Sequence, residues 1–364
     1  MQSNYSRFGL MVSKSLCNFA ATFQQFSNMA HEFTISILRW FATNSRSLPW
    51  RETKDPYAIW LSEIILQQTR IQQGQAYWER FMLRWPTVKE LAEATEDEVL
   101  REWQGLGYYS RARNLHTAAQ QIVARGGFPT TFEELRKLKG VGDYTAAAIA
   151  SIAFDQPAAV VDGNVYRVLA RYFGIETPIN TTEGKKTFTA LAQELLPHDQ
   201  ASAFNQAMMD FGAIQCTPQS PNCSCCPLAE TCEALHTQRI SSLPVKLKKL
   251  KIKERKFYYY YIRYSANGTM MTAIRRRPSG DIWQGLWEPL LIEDTETFPN
   301  IKGTFTLRQH GVKHVLTHQI IYADFYLIDT TQKPQLPESF IWIPESELSH
   351  YALPRLVERL LDCI

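Results

Sequence analysis

The sequence predicts a multidomain protein in which a long all-α region is followed by a smaller α+β domain. Its 364 residues are enough for two or three domains with separate cores. Residues 31–236 read as successive amphipathic helices, whereas from residue 257 apolar and aromatic side chains alternate as they do in strands. Apolar residues form 45% of the chain and charged residues 21%, which excludes a disordered or fibrous protein.

The first 30 residues stand apart from this scheme. Residues 1–31 contain no acidic side chain, a bias that is typical of transit peptides. We expect instead a disordered or non-native extension over residues 1–30, with the folded chain beginning near Met29. No apolar run is long enough to span a membrane, so we expect a soluble protein with no membrane partner.

Capping patterns mark two helix starts in the all-α region. Thr95 and Glu98 precede "VLREWQ", and Thr131 and Glu134 precede "LRKLKG". Each pair has the Thr-x-x-Glu spacing in which the two side chains satisfy free backbone N–H groups at a helix start. A helix is therefore expected to begin after each threonine.

Four strand-like segments, "FYYYYIRY", "TMMTAIRRR", "QIIYADFYLI" and "FIWIP", precede a helical "PRLVERLLDCI" within residues 257–364. Residues 237–256 form a basic interdomain connector, in which "LPVKLKKLKIKERK" has seven Lys or Arg residues against one Glu. The connector is either a solvated linker or a segment that contacts the phosphate backbone of a nucleic acid.

Five of the seven cysteines lie between Cys216 and Cys232, and this crowding favours a metal site in a reducing compartment over disulfides. Four of them have the spacing C-x6-C-x2-C-x5-C. Four thiolates can hold zinc or an iron–sulfur cluster. Structural zinc usually uses two closely spaced pairs, whereas only Cys223 and Cys226 are closely paired here, and Cys225 could compete as a ligand.

The segment "LKGVGDYTAAAI" places Gly140 and Gly142 between two predicted helices. Glycines permit a turn at positive φ, and the freed N–H groups with the positive end of the next helix can bind one phosphate. The alternative is a helix corner whose glycines only permit close packing.

A second glycine turn, "GLGYYSRAR", places aromatic rings beside guanidinium groups, an arrangement that suits stacking on bases and pairing with phosphates. The side chains concerned are those of Tyr108, Tyr109, Arg111 and Arg113. In other surroundings they would be core tyrosines and solvated arginines.

Together, "LKGVGDYTAAAI" and "VVDGNVYRV" resemble the helix–hairpin–helix and aspartate signature of the endonuclease III superfamily of base-excision DNA glycosylases. The segments "LPWR", "LSEIILQQT", "GLGYYSRARNL" and "FNQAMMDFGA" are similar to the MutY-type adenine DNA glycosylases. The resemblance covers residues 31–236 and implies an all-α helix–hairpin–helix core with an Fe–S loop at 216–232. It also implies a 4Fe–4S cluster, with Cys225 as a spectator. Its ligands would be Cys216, Cys223, Cys226 and Cys232.

Cleaving a purine N-glycosidic bond requires a proton for the departing base and negative charge beside the oxocarbenium ion, a division that two carboxylates can make. From the residues alone, Glu63 is either a buried acid with a raised pKa or a glutamate on the wet face of an amphipathic helix. Asp162 could equally be an ordinary helix N-cap. The resemblance makes Glu63 the proton donor and then the activator of water. It makes Asp162 the stabiliser of the oxocarbenium ion or a transient covalent partner.

Tyr144 stands two positions after Gly142, where superfamily members that also cut the strand have a lysine that forms a Schiff base. A phenol cannot form an imine, so the resemblance implies a monofunctional glycosylase that uses water. Tyr144 would then support the water and Asp162, with Asn164 alongside. Otherwise Tyr144 is a packed core residue.

An enzyme that acts on a base within duplex DNA must extrude it. The resemblance implies that Gln68 and Tyr108 fill the gap left in the stack, and that Trp50 and Arg51 form part of the adenine pocket. Each of these four could instead be structural.

Residues 257–364 resemble the MutT-related (Nudix-like) domain with which such enzymes inspect 8-oxoguanine opposite the adenine, chiefly through "RPSGDIWQGLWEPL". The acidic REx2EE cluster of true pyrophosphohydrolases is absent, so this domain should recognise a base and hydrolyse nothing. The family's Phe-Ser-His loop corresponds to Leu316, Thr317 and His318. The hydroxyl and imidazole groups remain, but leucine cannot stack as phenylalanine would.

The resemblance thus predicts an iron–sulfur DNA N-glycosylase that removes adenine mispaired with 8-oxoguanine or guanine in base excision repair. The expected partner is double-stranded DNA with an adenine mispair, and no nicotinamide or nucleotide cofactor is expected. We expect a monomer in the cytoplasm, associated with the nucleoid if the source is bacterial. The alternatives are a bifunctional glycosylase/lyase for oxidised pyrimidines, a non-catalytic Fe–S DNA-binding protein and a nucleotide hydrolase.

Overall fold

A computed structural model of the chain describes residues 29–247, 252–295 and 298–364. Residues 1–28 of the expected extension and residues 248–251 of the basic connector lie outside the described residues. Contacts divide the chain into two units, Met1–Glu63 with Phe128–Leu247 and Ile64–Gly127 with Lys248–Ile364. The predicted domain boundaries at residues 30, 236 and 256 stay predictions.

The first unit is helical. Its helices are α1 (29–44), most of α2 (Pro56–Leu66), α7 (Phe132–Leu135), α8 (Asp143–Phe154), α9 (Gly163–Tyr172), α10 (Thr182–Leu195), α11 (Ala201–Asp210) and α12 (Glu233–His236). Its shorter elements are 3-10 turns at Pro49–Arg51, Cys223–Cys225 and Ala229–Thr231 and a π-helical turn at Phe211–Gln215. Apolar side chains of α1, α9, α10 and α11 form the main core, with Phe33, Phe188 and Phe204 fully or almost fully buried.

The second unit combines helices with a mixed sheet. Its elements are α3 (Ile71–Arg84), α4 (Val88–Glu93), α5 (Glu96–Glu102), α6 (Ser110–Ala124), β1 (Lys253–Ala266), β2 (Thr269–Arg276), β3 (Trp287–Glu288), β4 (Leu290–Glu293), β5 (Thr304–Val315), β6 (Gln319–Thr330), β7 (Phe340–Pro344), a 3-10 turn at Glu345–His350 and α13 (Arg355–Leu361).

Within the described residues the sheet has seven strands, in the order β3-β2-β1-β6-β5, with β4 paired to β1 and β7 to β2. The central pair β1–β6 is parallel, with Tyr259 opposite Phe325, and the other pairs are antiparallel. Because strand side chains alternate between faces, Tyr259 packs on the face covered by α13, whereas Tyr260 stacks on Tyr326 on the opposite face. The predicted α+β character of this region is confirmed.

The predicted caps are confirmed. Thr95 and Glu98 form a complete capping box at α5, and the Thr131 side chain accepts the Glu134 backbone N–H at the start of α7. A further capping box at α4, formed by Thr87 with the glutamate three residues later, was not predicted. In the described residues, no helix has the length and apolar character needed to cross a membrane.

Candidate active site and cysteine centre

Glu63 is a buried acid. It lies in the last turns of α2, where residues 57–65 are all buried, and its own side chain is 8% exposed. The wet-face alternative is therefore wrong. The pKa of Glu63 is raised to about 7, chiefly by burial and to a smaller extent by the negative charge of Asp162, while a hydrogen bond from Tyr144 and the charge of Arg51 act to lower it. The carboxyl group is thus partly protonated near neutral pH.

Tyr144 lies in the first turn of α8 beside both carboxylates. Its hydroxyl group is hydrogen bonded to Glu63 and lies 3.6 Å from Met209 Sδ. Burial, followed by the charges of Glu63 and Asp162, holds the pKa of Tyr144 well above its ordinary value. The phenol therefore stays protonated and can act as a hydrogen-bond donor at this site.

Asp162 is the N-cap of α9 and a neighbour of the acid. Its Oδ1 atom accepts hydrogen bonds from the backbone N–H groups of Asn164 and Val165, both at 2.8 Å, and Oδ2 accepts the Asn164 amide at 2.8 Å. Burial raises the pKa of Asp162, and these hydrogen bonds oppose that shift. The N-cap alternative is right as a structural description, but its side chain also faces Glu63 closely enough for the two charges to interact.

Arg167, one turn further along α9, ties this cap to the cysteine loop. Its guanidinium group donates to Asn164 Oδ1 at 2.8 Å, to the Gly212 carbonyl oxygen at 2.6 Å and to the Cys216 carbonyl oxygen at 2.7 Å. A Cβ atom on Gly212 would stand 2.5 Å from the Asn164 Cβ atom, so only glycine permits this contact. Asp162 is thus joined to the backbone of Cys216 through two side chains. Arg167 and Gly212 were not predicted.

The predicted pocket residue Arg51 is held by an ion pair. Its two terminal nitrogens donate to the two carboxylate oxygens of Asp210, each at 2.8 Å, and Arg46 binds the same carboxylate. Burial acts to raise the pKa of the fully buried Asp210, but hydrogen bonds from Arg51 and Arg46 outweigh it and hold the pKa below its ordinary value. Trp50 is buried. Asp210 was missed, although an acid inside the apolar run "AMMDFGA" was a signal.

The four predicted ligands line one small cavity, which Cys225 does not line. None of them forms a disulfide, and Cys225 is exposed. Burial, with smaller contributions from the neighbouring thiols, raises the pKa of Cys226 to about 11, so its thiolate needs a compensating positive charge. Arg171 donates to Cys216 Sγ at 3.4 Å and to the carbonyl oxygen of Thr217 at 2.8 Å. Over the ranges 29–247, 252–295 and 298–364, no group of three His, Cys, Asp or Glu side chains has a metal-binding arrangement.

The predicted hairpin joins α7 to α8. Gly140 has a φ of +76°, which favours glycine, whereas Gly142 is extended and is the N-cap of α8. No atom lies within 4 Å of the position that a Cβ atom would take on Gly142. The turn therefore offers open space at the positive end of α8, as a phosphate site requires.

In the second unit, the two predicted stack-filling residues have left-handed backbones. Gln68 has a φ of +58° and Tyr108 a φ of +48°, and both side chains are exposed. Non-glycine residues rarely adopt this conformation, and such strain clusters at functional sites.

The interpretation of "GLGYYSRAR" as a base- and phosphate-binding cluster is wrong for two of its members. Tyr109 is buried, and the buried Arg111 donates to the carbonyl oxygens of Ile64 and Ile65 at the end of α2. Those bonds satisfy helix-terminal carbonyl groups, which have no other partner within the helix. Arg113 donates to the backbone of Gln284. Tyr108 is exposed, and Arg113 is half-buried and borders the same cavity as Tyr108.

A cavity of about 540 Å³ in the second unit brings together Tyr108, Leu316, Thr317 and His318. The Tyr108 and Thr317 hydroxyl groups are hydrogen bonded to each other. The loop that the resemblance aligns with a lesion-reading segment therefore meets a predicted stack-filling residue across one cavity. Glu63, Tyr144, Asp162 and the cysteines belong to the first unit, and these four residues belong to the second.

Residues 61–197 match the family model described as the HhH-GPD superfamily base excision DNA repair protein, and residues 258–363 match a NUDIX domain. The adenine DNA glycosylase of Buchnera aphidicola subsp. Acyrthosiphon pisum is 31% identical over 347 residues, which cover 91% of this chain and 97% of the relative. The chain belongs to the adenine DNA glycosylase family. The predicted fold class, family and enzyme class are thereby confirmed.

Other adenine DNA glycosylases share mainly the helical region. The human relative is 44% identical over 213 residues, which cover 56% of this chain and 39% of that protein. A solved thermostable thymine-DNA glycosylase is 31% identical, with a TM-score of 0.55, and the match covers 58% of this chain and 99% of that one. The members of the site nevertheless stay predictions.

We predict that Glu63→Gln changes how the stability of the protein depends on pH. The pKa of Glu63 is about 7 in the folded chain against an ordinary 4.5, so the stability that Glu63 contributes is complete below pH 4.5 and is lost as the pH rises to about 7. Glutamine does not titrate. Between pH 5 and pH 8 the variant should therefore gain on the order of 2 kcal/mol in unfolding free energy relative to the unsubstituted chain.

Chemical denaturation of both proteins at the two pH values measures this difference. The same stability difference at pH 5 and pH 8 would contradict the raised pKa.

Proposed function

We propose that the chain removes adenine mispaired with 8-oxoguanine or guanine from double-stranded DNA by hydrolysis, without cutting the strand. The observation that carries this proposal is the group formed by Glu63, Tyr144 and Asp162: a buried acid with a pKa of about 7, a protonated phenol and a helix-capping carboxylate. Family membership supplies the substrate base, and this group suits the chemistry.

Glu63 is the proposed general acid. A group with a pKa near 7 is protonated often enough to donate a proton to the adenine ring and is a competent base afterwards for activating water. Its apolar surroundings in α2 resemble those that raise the pKa of acid residues in glycoside cleavage. A carboxylate on the wet face of a helix would stay ionised and could not donate.

Asp162 is the proposed stabiliser of the oxocarbenium ion. Three N–H groups from Asn164 and Val165 orient its oxygens, so its negative charge has a defined position beside the developing cation. Tyr144 contacts Glu63 through its hydroxyl group and can hold the attacking water. The amide of Asn164 keeps the carboxylate in place.

Tyr144 favours hydrolysis over the bifunctional glycosylase/lyase alternative. A lyase needs an amine nucleophile at the sugar, and the protonated phenol at this position cannot form an imine. The buried Glu63 beside a hydrogen-bonded Asp162 favours catalysis over the alternative of a non-catalytic DNA-binding protein, and an activity measurement decides between the two.

The proposed substrate-binding residues come from both units. The Gly140–Gly142 turn would bind a DNA phosphate, Gln68 and Tyr108 would fill the gap left by the extruded adenine, and Trp50 with Arg51 would contact the base. The exposed side chains and left-handed backbones of Gln68 and Tyr108 support their role. The ion pair with Asp210 supports a fixed position for Arg51.

The four cavity-lining cysteines would hold a 4Fe–4S cluster. All four are free thiols around one cavity, and their donor chemistry fits iron–sulfur ligation. When bound, the cluster would order the loop between Cys216 and Cys232 and supply the positive charge that stabilises the buried thiolates. Arg167 and Arg171 hold this loop through its carbonyl groups.

The C-terminal domain is proposed to recognise the base opposite adenine and not to hydrolyse a nucleotide. In the described part of this domain, the buried carboxylate of Glu288 pairs with Arg275 and Arg277, and Asp281 pairs with Arg255. Carboxylates engaged in this way are poor ligands for magnesium.

A monomer acting on DNA in the cytoplasm, without a membrane partner, is the setting that we propose.

The decisive experiment is adenine release from duplexes that carry adenine opposite 8-oxoguanine, guanine or thymine, with and without alkali afterwards. We expect release from the first two duplexes and strand cleavage only after alkali.

Single-turnover rates should fall as the pH rises above about 7, because Glu63 loses its proton there. Glu63→Gln should lower the rate about 100-fold or more while retaining duplex binding.

Strand cleavage without alkali would revive the lyase, and mismatch binding without any adenine release would favour the non-catalytic alternative. Normal turnover by Glu63→Gln would remove Glu63 from its role.

The cysteine proposal predicts unequal effects of two neighbouring serine substitutions. Cys226→Ser should lower the iron and sulfide content per chain, because it removes a cavity-lining thiol, whereas Cys225→Ser should leave both unchanged. Elemental analysis and visible absorbance of the purified proteins measure the content. Zinc in place of iron, or equal losses in both variants, would contradict the assignment.

The lesion-reading loop predicts a change in selectivity. Thr317→Ala combined with His318→Ala should lower the ratio of adenine release opposite 8-oxoguanine to that opposite guanine by about tenfold, because the hydrogen-bonding groups are lost. The exposed pair Thr331→Ala with His350→Ala is the matched control and should keep the ratio. An unchanged ratio in the first variant would place lesion reading elsewhere.

A further inference from the structure

The cavity of the second unit has an aromatic wall that the resemblance did not identify. Trp283, in the loop between β2 and β3, lines the cavity together with Thr317 and His318. Its indole ring is half-buried, with the ring of Phe257 at 6.2 Å and that of His314 at 5.6 Å, both in edge-to-face arrangements. The indole is therefore supported by neighbouring rings and still borders the open space.

The backbone at Trp283 is strained. Its φ is +59°, in the left-handed region that a bulky aromatic residue rarely adopts. Its carbonyl oxygen accepts the Leu286 N–H at 3.0 Å, and Arg277 Nε donates to the adjacent Ile282 carbonyl oxygen at 3.0 Å. A strained backbone persists only where the surrounding contacts hold it in place, and such residues cluster at ligand-binding sites.

Buried ion pairs fix the loop from beneath. Arg277 is 5% exposed and binds Glu288 at 2.6 Å and Asp281 at 2.8 Å. Arg255 binds both carboxylate oxygens of Asp281 at 2.7 Å. Arg277 and Asp281 therefore act as positioning residues for Trp283.

The other candidates for a stacking surface are less suitable. Leu316 lines the cavity but has no flat ring, and Tyr109 is only 5% exposed. Tyr108 is exposed, but its hydroxyl group is bonded to Thr317, so its position depends on the hydrogen-bonding residue itself. Among the described residues that line this cavity, Trp283 is the large aromatic side chain that borders the open space and is held by contacts that do not involve Thr317.

We propose that Trp283 provides the stacking surface for the base opposite the target adenine and thereby selects a purine over a pyrimidine at that position. A base stacks on an aromatic side chain whatever substituents it carries, but a purine, with two rings, stacks more strongly than a pyrimidine. Trp283 would therefore distinguish bases by the size of their ring system. Thr317 and His318 would read the oxidised position of the same purine. This inference rests on the proposed function.

The test measures dissociation constants of the full chain for duplexes with 2′-fluoro-2′-deoxyadenosine, which resists cleavage, opposite 8-oxoguanine, guanine or cytosine. Trp283→Leu should reduce the preference for guanine over cytosine about tenfold and leave the preference for 8-oxoguanine over guanine unchanged. Trp283→Phe keeps a flat ring and should retain most of the purine preference. Trp287→Phe, a change in strand β3 outside the cavity, should have no effect on either ratio.

The outcomes separate this inference from the proposed function. Adenine release by the unsubstituted chain from ordinary mispaired duplexes tests the proposed function, and failure there overturns both. If that release occurs and Trp283→Leu keeps its purine preference, Trp283 is not the stacking surface. Equal losses in Trp283→Leu and Trp283→Phe would also overturn the inference, because they indicate a packing role, and thermal unfolding of each variant checks the fold.

Discussion

The hydrogen-bonded cap at the start of α9 is the constraint on which the candidate active site depends. A single carboxylate, that of Asp162, receives three N–H groups within one turn, and the amide that supplies one of them is itself held by Arg167. Because Arg167 also binds the carbonyl oxygens of Gly212 and Cys216, displacement of any member leaves buried polar groups without partners. The cysteine loop and the acidic site are therefore parts of one hydrogen-bonded structure. The close approach of Gly212 to Asn164 completes it.

The two neighbouring carboxylates, those of Glu63 and Asp162, differ in their hydrogen bonding. Glu63 emerges from an apolar helix and has few hydrogen bonds with which to stabilise a charge, so burial dominates its pKa. Asp162 is only half-buried, receives N–H groups and lies at the positive end of a helix, so hydrogen bonds oppose the upward shift that burial gives its pKa. Such a difference allows one carboxyl group to hold a proton while its neighbour carries charge. Tyr144 lies beside both carboxylates and keeps its own proton. It therefore does not add a third group that titrates near neutral pH.

The sequence predicted the parts of this fold whose signals are local. Capping pairs, alternating aromatic residues and cysteine spacing each depend on neighbours along the chain. Strand β5 was missed because "TFTLRQHGVKHV" is mostly polar and exposed at the edge of the sheet, so it lacks the alternation of a half-buried strand. The burial of Glu63 and the partners of Arg111 and Asp210 could not be derived either. They depend on residues from 40 to 160 positions away, roughly, that pattern analysis does not bring together.

The bond between Tyr108 and Thr317 has a consequence for how the protein samples DNA. Without a ligand, these two hydroxyl groups satisfy each other, and any base that engages Thr317 must first displace a partner that is already in place. The free energy of binding at Thr317 is then only the difference between the new hydrogen bond and the Tyr108–Thr317 bond that it replaces. An undamaged duplex that offers an equivalent bond would therefore gain almost nothing by entering the cavity. Under the proposed function, this resting bond would favour release of an intact duplex and retention of a duplex whose base makes the exchange favourable.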